Sequence, residues 1–345
     1  MTSINAIKFD DYSGVMVCDE QRSWGPEDMK IFCAYKIRPC IPPEIQKDYG
    51  IVAAYGNTGT STIGDELKFT IKQRVKEEYE KELERLGKKP KQFKTIEEIA
   101  GLTFDVITKM KHTHINQEMK GKYGFTTNDF CRGFYLKDGK KIEITDKDIA
   151  RQVDEMLTWK SRGELARAVF LNAGIVAGFE PREGFKIFHF SMIEMYWTPV
   201  QGIFVADGSG CDTVNLRMAE FAANKSIPER RGNIDPVEGL VAIIDAVNTA
   251  SFHNLGVGGY YNIIWFNGRA KNNMEKMVEI NDHRSKLTSE IVSALYEDFI
   301  SQDTAFKLVN ELIYQGKPYE QINEQLFKKT RDPKRLSRFL RGYKI

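Results

Sequence analysis

The sequence predicts an α+β protein in which two stacked antiparallel sheets are covered by helices on both outer faces, a four-layer α-β-β-α arrangement. Two observations predict it. Short apolar segments that favour strands come in runs, and these runs alternate with pairs of helical patterns along the chain. The hydrophobic fraction of 41% over 345 residues is enough to build a large core, and the 28% of charged residues is ordinary for a globular protein.

The first part of the chain contains four predicted strands. Residues 4–9 and 15–18 are short apolar runs on either side of a turn, so they predict a hairpin. A third strand is predicted at 30–37 and ends at the prolines that follow it, because proline cannot donate to a ladder of backbone hydrogen bonds. The fourth, residues 50–55, is a continuous apolar run, which predicts a strand buried on both faces.

Two helices are predicted after the fourth strand. A turn of small residues at 56–61 opens a helix from about 62 to 86, which has an apolar residue at every third or fourth position of its first half. Thr95 and Glu98 have the spacing of a capping box, so they predict the start of a second helix. We expect that second helix to reach about Met110.

The middle of the chain is less regular. Aromatic residues and the Asp138-Gly139 turn predict a hairpin within 119–144, because an Asp-Gly pair is typical of tight turns between strands. Residues 146–157 are predicted to form a further helix.

A second β block follows this region. Its predicted strands are 168–179, 185–190, 200–206 and 258–266, and its predicted helices are 211–223 and 235–252. From residue 272 onward only helical patterns remain, and we interpret the strongly basic tail from Lys328 as a solvated helical end. The sequence therefore predicts a core over 1–270 and a C-terminal helical extension over 271–345.

Charge and cysteine usage exclude several classes of function. The formal net charge is +2, so the overall charge predicts neither a nucleic-acid nor a membrane-surface role. The five cysteines lack CxxC spacing and lie mostly in apolar segments, which fits buried thiols in a reduced, cytoplasmic protein. We expect no signal peptide and no membrane span. His112 and His114 have no third ligand at a suitable spacing, so we expect no metal and no cofactor.

The amino terminus carries a possible nucleophile. Met1 is followed by the small residue Thr2, a context in which methionine aminopeptidase trims the initiator. Trimming would leave Thr2 with a hydroxyl and a free α-amine on one residue. The ordinary pKa of such an amine is about 8, so it can act near neutral pH as a general base for the hydroxyl. Thr2 could equally be an ordinary residue at the start of a strand, so the terminus alone does not decide its role.

Further blocks of sequence add to this terminus. They are the polar loop 19–25, Lys36-Ile37-Arg38, the apolar strand and turn 51–59, the strand end 176–179, and Asp207-Gly208-Ser209-Gly210. In order and spacing they resemble proteasome β subunits and HslV. Those chains begin with a Thr nucleophile and an apolar hairpin, and continue with an Asp-containing loop, a Lys-Val-Arg strand and a Gly-Gly turn. The matching blocks cover roughly 1–86 and 166–270.

The resemblance implies a role for each matching residue. Thr2 would be the nucleophile, and its own amine the general base, acting through a water. Lys36 would sit beside the hydroxyl, where an ammonium favours the deprotonated oxygen and lowers the pKa of the amine by like-charge repulsion. Asp19 would pair with Lys36 and hold it in position. Lys30 competes for the role of Lys36, and we prefer Lys36 because the following Ile-Arg fits the family pattern.

The same resemblance assigns the oxyanion hole and the residue that orients the amine. The backbone N–H of Asn57, or of its neighbour Gly56, would donate to the oxyanion. Ser209 would orient the terminal amine by hydrogen bonding. Without the family pattern, Ser209 could be an ordinary helix entry and Asp19 an ordinary turn residue.

The sequence also departs from the family pattern. Asn57 replaces a Gly at the oxyanion turn, and Asn254 stands where the family has an Asp near the last strand. The stretch 87–165 is an enlarged insertion compared with the family, and the helical end from 272 is extra. These departures bear on the substrate class and on the assembly.

The resemblance predicts a threonine-type peptidase of the N-terminal nucleophile hydrolase class, acting on peptide or protein substrates. Members assemble into rings, so we expect a homo-oligomer, and any ATPase that unfolds substrates would be a separate chain. Two alternatives remain open. An inactive structural subunit of the same fold predicts that Met1 is retained, or that Thr2 is packed away from solvent. An amidase or acylase for small molecules predicts an open pocket instead of an enclosed chamber.

Overall fold

The computed structural model describes residues 2–24, 29–32, 35–158, 170–191, 197–254 and 257–341. Met1, the last part of the predicted insertion at 159–165 and the first residues of the strand predicted at 168–179 lie outside those ranges. Within them the chain is a mixed α+β structure of antiparallel sheets and helices, as the sequence predicts. None of the described helices combines the length and the apolar character needed to cross a membrane.

The first sheet is antiparallel and contains the N-terminal hairpin. Its described strands are, in spatial order, β12 (Phe204–Gly208), β1 (Ser3–Asp10), β2 (Ser13–Asp19), β13 (Tyr261–Asn267) and β14 (Met277–Ile280). The pairing of β1 with β2 confirms the predicted hairpin. The expectation that only helices follow residue 272 is wrong, because β14 pairs with β13 as an edge strand. Four residues are too few to show an alternating pattern in the sequence.

The second sheet is also antiparallel. Its described strands are, in spatial order, β11 (Trp197–Pro199), β10 (Gly184–Phe190), β9 (Asn172–Glu180), β6 (Val52–Gly59) and β5 (Ile37–Pro39). Separate hairpins pair β3 (Gln21–Trp24) with β4 (Met29–Phe32), and β7 (Phe134–Lys137) with β8 (Lys140–Glu143). The single strand predicted at 30–37 is therefore wrong, because its two ends pair with different strands.

The described helices are, in chain order, α1 (Pro43–Tyr49), α2 (Ser61–Leu86), α3 (Ile96–Tyr123), α4 (Thr127–Arg132), α5 (Lys147–Thr158), α6 (Cys211–Ala223), α7 (Ile227–Arg230), α8 (Pro236–His253), α9 (Asp282–Tyr296), α10 (Gln302–Val309), α11 (Tyr319–Lys329) and α12 (Pro333–Arg341). The predicted capping box of Thr95 and Glu98 is present at the start of α3. α3 continues to Tyr123, well past its predicted end at Met110, because Ile115 and Met119 are buried further along it.

Three clusters of buried side chains hold the sheets and helices together. One cluster contains residues of both sheets, such as Ile4 of β1 and Ala54 of β6, so the sheets pack against each other. A second contains the alternate residues of β1, such as Ile7, together with side chains of α6, α8 and α9 to α12. A third contains alternate residues of β6, such as Tyr55, together with α2 and the first half of α3.

A fourth, smaller cluster lies in the predicted insertion. It consists of Ile115 and Met119 from the second half of α3, Phe125, and Val153 of α5. It shares no buried member with the cluster under the second sheet, although α3 contributes to both. The insertion therefore has a hydrophobic core of its own on the far end of a helix that starts on the sheet.

Replacing Met119 by Ala should loosen the insertion and leave the sheets intact. Met119 is completely buried, and removing such a side chain costs about 2–5 kcal/mol of local stability. Native-state hydrogen exchange should show lost protection in the second half of α3, in α4 and in α5, with β6 and β9 unchanged. Leu67→Ala in the cluster under the second sheet is the control and should lower protection in β6 and β9. Equal losses in both regions for both variants would contradict two separate cores.

Candidate active site

The nitrogen of Thr2 is held at one end of the first sheet. The register pairs Ser3 of β1 with Gly208 of β12, so the residue before Ser3 meets the residue after Gly208. Thr2 N donates a hydrogen bond to Ser209 Oγ at 3.1 Å, and Ser209 Oγ donates to the Thr2 carbonyl oxygen at 3.4 Å. In the full chain this nitrogen is the amide after Met1, and removal of Met1 would make it the terminal amine. The hydrogen bond between Thr2 and Ser209 that the family resemblance implies is present, and the role of Ser209 in orienting a free amine stays a prediction.

The turn that carries Ser209 requires a glycine. Gly208 has φ +96°, a conformation that L side chains rarely adopt, and a Cβ at this position would lie 2.1 Å from the Thr2 carbonyl oxygen. Because Gly208 has no side chain, β12 can approach the backbone of Thr2 closely. Ser209 is thereby brought within hydrogen-bond distance of the Thr2 nitrogen.

Asp19 lies at the end of β2 and is completely buried. Its Oδ1 accepts hydrogen bonds from Ser3 N at 2.8 Å and Lys36 Nζ at 2.7 Å, and its Oδ2 accepts from Gly258 N at 3.1 Å. Burial raises the pKa of the Asp19 carboxyl, and the Lys36 ammonium and the two backbone donors oppose that rise. Because Ser3 N and Lys36 Nζ share one oxygen, the ammonium lies within two hydrogen-bond lengths of the peptide unit that joins Thr2 to Ser3.

Side chains from distant parts of the chain hold the backbone around Lys36, which precedes β5. Lys36 N donates to Asn262 Oδ1 at 3.3 Å, and the carbonyl oxygen of Tyr35 accepts from Lys68 Nζ at 3.1 Å. Asn262 also donates through Nδ2 to Glu20 Oε1 at 2.8 Å. Sequence reasoning missed these supports. The available signal was Asn262 itself, a polar residue in an apolar strand, because a buried amide needs hydrogen-bond partners.

Gly56 and Asn57 lie in β6, next to the segment that carries Lys36. Cys40 N donates to Ala53 O at 2.9 Å on the side of β6 where β5 lies. The N–H groups of a strand point alternately to its two sides, so the N–H of Asn57 points to this same side and that of Gly56 to β9. Asn57 is therefore the better oriented of the two predicted oxyanion donors, because its N–H is directed to the side where Lys36 lies.

The asparagine at position 57 fits because α2 presents a glycine to it. A Cβ at Gly64 would lie 2.0 Å from Asn57 Nδ2, so the Asn57 side chain occupies the space that a larger residue at 64 would need. The side chain of Asn57 thus packs against α2. Because position 64 of α2 is a glycine, the helix leaves room for Asn57 where the proteasome pattern has a glycine.

Asn254, the second departure from the family pattern, also contacts the site. It lies at the end of α8, and its Nδ2 donates to the carbonyl oxygen of Ser209 at 2.6 Å. The residue expected at this position from the family would be a carboxylate, which cannot donate to a carbonyl. Asn254 instead supports the turn that carries Ser209 without adding a charge.

A further polar group beside the site was missed from the sequence. Asp207 accepts hydrogen bonds from Thr58 Oγ1 at 3.2 Å and from Gly208 N at 2.5 Å, and its other oxygen lies 2.6 Å from His189 Nε2. No local pattern predicts this group, because Thr58, His189 and Asp207 belong to three different strands, and Thr58 lies 149 residues from Asp207 along the chain.

In the part of the chain that the structure describes, no group of three or more His, Cys, Asp or Glu side chains is arranged to hold a metal ion. His114, considered from the sequence as half of a metal pair, lies with its Nε2 3.0 Å from Glu66 Oε2 on α2.

Comparison with known proteins identifies no family. No family model matches the chain, and no curated protein matches it. The resemblance to proteasome β subunits and HslV therefore stays a prediction, and the geometry around Thr2 is the basis for any proposed chemistry.

Replacing Gly208 by Ala should destabilise the protein more than an ordinary glycine substitution. Gly87 is the matched control, since it also has a positive φ but open space around the position of a Cβ. Gly87→Ala should cost about 1–2 kcal/mol for the left-handed conformation alone. Gly208→Ala should cost about 1–3 kcal/mol more, because the new Cβ displaces the Thr2 carbonyl. Urea unfolding of both variants measures the difference, and equal losses would mean that the close approach carries no strain.

Proposed function

We propose that this chain is a threonine-type peptidase that uses Thr2 as an N-terminal nucleophile in a proteasome-like four-layer α-β-β-α fold. One observation carries the proposal. The carboxylate of Asp19 binds both the backbone N–H that follows Thr2 and the ammonium of Lys36, while Ser209 holds the Thr2 nitrogen. This arrangement supports a nucleophile, its own general base and a positive charge within one small site.

The proposed acylation begins after Met1 has been removed. The Thr2 amine takes the proton of Thr2 Oγ through a water, and Oγ attacks the carbonyl carbon of the scissile amide. The Lys36 ammonium favours the deprotonated oxygen and lowers the pKa of the amine, so that more of it is neutral. The backbone N–H of Asn57 donates to the oxyanion, a contact that is worth about 3–4 kcal/mol in comparable sites.

The tetrahedral intermediate then collapses. The carbon–nitrogen bond breaks, the leaving amine takes the proton that the Thr2 amine holds, and an ester remains on Thr2 Oγ. In deacylation the same amine takes a proton from water, whose oxygen attacks the ester carbon. Cleavage of the ester bond returns the proton to Thr2 Oγ and releases the acid, so the enzyme ends as it began.

The second candidate is an inactive structural subunit of the same fold. Thr2 is only 9% exposed, and this burial favours that candidate because a nucleophile has to meet its substrate. The two candidates differ in the fate of Met1. Retention of Met1 leaves an amide nitrogen that cannot act as a base, whereas its removal creates the amine that the proposed mechanism needs.

Substrates and assembly are proposed from the resemblance. We propose peptide or protein substrates, a cytoplasmic homo-oligomer that encloses its sites, and an unfolding ATPase only as a separate chain. A small-molecule amidase is the alternative within the same chemistry. Hydrolysis of small acyl amides without any hydrolysis of peptides would assign the chain to that alternative.

Removing the Thr2 hydroxyl should abolish hydrolysis. Intact-mass measurement of the purified protein should show the loss of Met1 and, after treatment with a Thr-directed β-lactone, one acyl adduct that maps to Thr2. Thr2→Ala should remove the adduct and lower peptide hydrolysis by about a thousandfold or more, because the covalent step is lost. Thr2→Ser is the matched control and should keep the adduct. A protein that retains Met1, or that is acylated elsewhere, would contradict the proposed function.

Removing the charge of Lys36 should shift the pH dependence of hydrolysis. Without the neighbouring ammonium the pKa of the Thr2 amine rises, so the acidic limb of the kcat/KM profile should move to higher pH. Lys36→Met alone leaves the Asp19 charge buried and unpaired, which costs about 3–5 kcal/mol, so the double variant Asp19→Asn, Lys36→Met is measured beside it. Lys36→Arg keeps the charge and serves as the control for the pH profile. An unshifted acidic limb in both uncharged variants would rule out a role for Lys36 beside the amine.

A further inference from the structure

The carboxylate of Asp207 connects the two sheets at the end where Thr2 lies. Asp207 belongs to β12 of the first sheet, whereas its partners Thr58 and His189 belong to β6 and β10 of the second. Its side chain is only 12% exposed, and both of its oxygens have partners. At this point the contact between the sheets is made by hydrogen bonds instead of apolar packing.

This link joins the two halves of the proposed site. Thr58 directly follows Asn57, the proposed oxyanion donor, and Asp207 lies two residues before Ser209, which holds the Thr2 nitrogen. The hydrogen bond from Thr58 Oγ1 to Asp207 Oδ1 therefore ties the strand of the oxyanion donor to the turn that orients the amine.

Gly208 reinforces the same link. A Cβ at Gly208 would lie 2.1 Å from the Thr2 carbonyl oxygen and 3.0 Å from Thr58 Cγ2, so the backbone at 208 closely approaches both Thr2 and Thr58. The Gly208 N–H donates to the Asp207 carboxylate and fixes the start of the turn. A shift of Asp207 would move Ser209 and Asn57 relative to each other.

We propose that Asp207 is a positioning residue, which with Thr58 and His189 sets the separation between the oxyanion donor and the Thr2 amine; this inference rests on the proposed hydrolase function. Asp207 touches neither the substrate nor the reacting atoms in this role. Its contribution is geometric, because a misplacement of about 1 Å between reacting groups can cost a hundredfold in rate.

A contact between another carboxylate and a basic side chain serves as a matched control. Arg217 and Asp245 join α6 to α8 at 2.6 Å, and the Asp245 side chain is also 12% exposed. The pair has the same heavy-atom distance and acid exposure as His189 and Asp207, but it lies among the helices that cover the first sheet. Asp245→Ala therefore reproduces the loss of a largely buried carboxylate without touching the proposed site.

Kinetic measurements test the positioning role. Asp207→Ala removes both acceptor oxygens, so it should lower kcat for peptide hydrolysis by about tenfold to a hundredfold and change KM by less than about threefold, because orientation is lost and binding is not. Thr58→Val should show a similar fall in kcat, Thr58→Ser should restore it, and Thr58→Val should add little in the Asp207→Ala background. Asp245→Ala should keep the kcat of the unmodified protein. A Thr58→Ser variant as impaired as Thr58→Val, or an Asp245→Ala variant as impaired as Asp207→Ala, would overturn the proposal.

Hydrogen exchange tests the same link without relying on hydrolysis. Asp207→Ala should speed amide exchange at residues 3–4 and 207–209, and Asp245→Ala should leave those residues unchanged. If the full-length protein neither hydrolyses peptides nor forms an acyl adduct, the proposed function is wrong, and the exchange data alone then decide whether Asp207 positions the turn. Unchanged exchange at both segments in Asp207→Ala would overturn the inference, whether or not the protein is a hydrolase.

Discussion

The buried carboxylate of Asp19 is the interaction on which the rest of the site depends. It gathers three separate segments, because the start of β1, the residue before β5 and the loop before β13 all donate to its two oxygens. A buried charge is tolerated only when its partners are present. Removing one partner of a buried ion pair costs more free energy of unfolding than the pair itself contributes. The start of β1, Lys36 and the loop before β13 are therefore held by one carboxylate, and displacing any of them removes a partner from that buried charge.

The candidate site forms where the strand ladders end. Thr2 precedes β1, Lys36 precedes β5, Ser209 follows β12 and Asn57 lies near the end of β6. Within the strands, backbone groups are satisfied by their neighbours and side chains pack in the apolar cluster between the sheets. At the ends, backbone groups need side-chain partners, and Asn262, Lys68 and Asn254 supply them. The polar network therefore forms because strands of both packed sheets end at the same place, where their backbone groups need side-chain partners.

The local elements and the contacts that the family resemblance names were predictable from the sequence. The side chains that support these contacts from elsewhere in the chain were not. The N-terminal hairpin, the capping box at Thr95 and the contacts of Thr2 with Ser209 and of Asp19 with Lys36 follow from patterns or from the family resemblance. The prediction of a single strand at 30–37 is wrong because an apolar run does not reveal where a chain leaves one sheet for another.

Each missed element has its own physical cause. The helix α1, which was not predicted, begins at Pro43. The prolines after residue 37 were expected only to end a strand, but proline is also favourable in the first turn of a helix. β14 is too short to show its period, and it exists because β13 offers an edge. Asn262 stands out as a polar residue in an apolar strand, but its partners Lys36 and Glu20 lie more than two hundred residues away, and Thr58 lies 149 residues from Asp207. A local window along the chain therefore identifies none of these partners.

The burial of Thr2 has a consequence for the order of events during synthesis. Its partner Ser209 lies 207 residues further along the chain. At a translation rate of about 5–20 residues per second, Ser209 leaves the ribosome roughly 10–40 s after Thr2. During that interval β1 has no β12 beside it, so Ser209 cannot yet hold the Thr2 nitrogen. Once β12 is in place, Thr2 is only 9% exposed. The removal of Met1 that the proposed function requires is therefore expected before β12 is synthesised, while Thr2 is still uncovered.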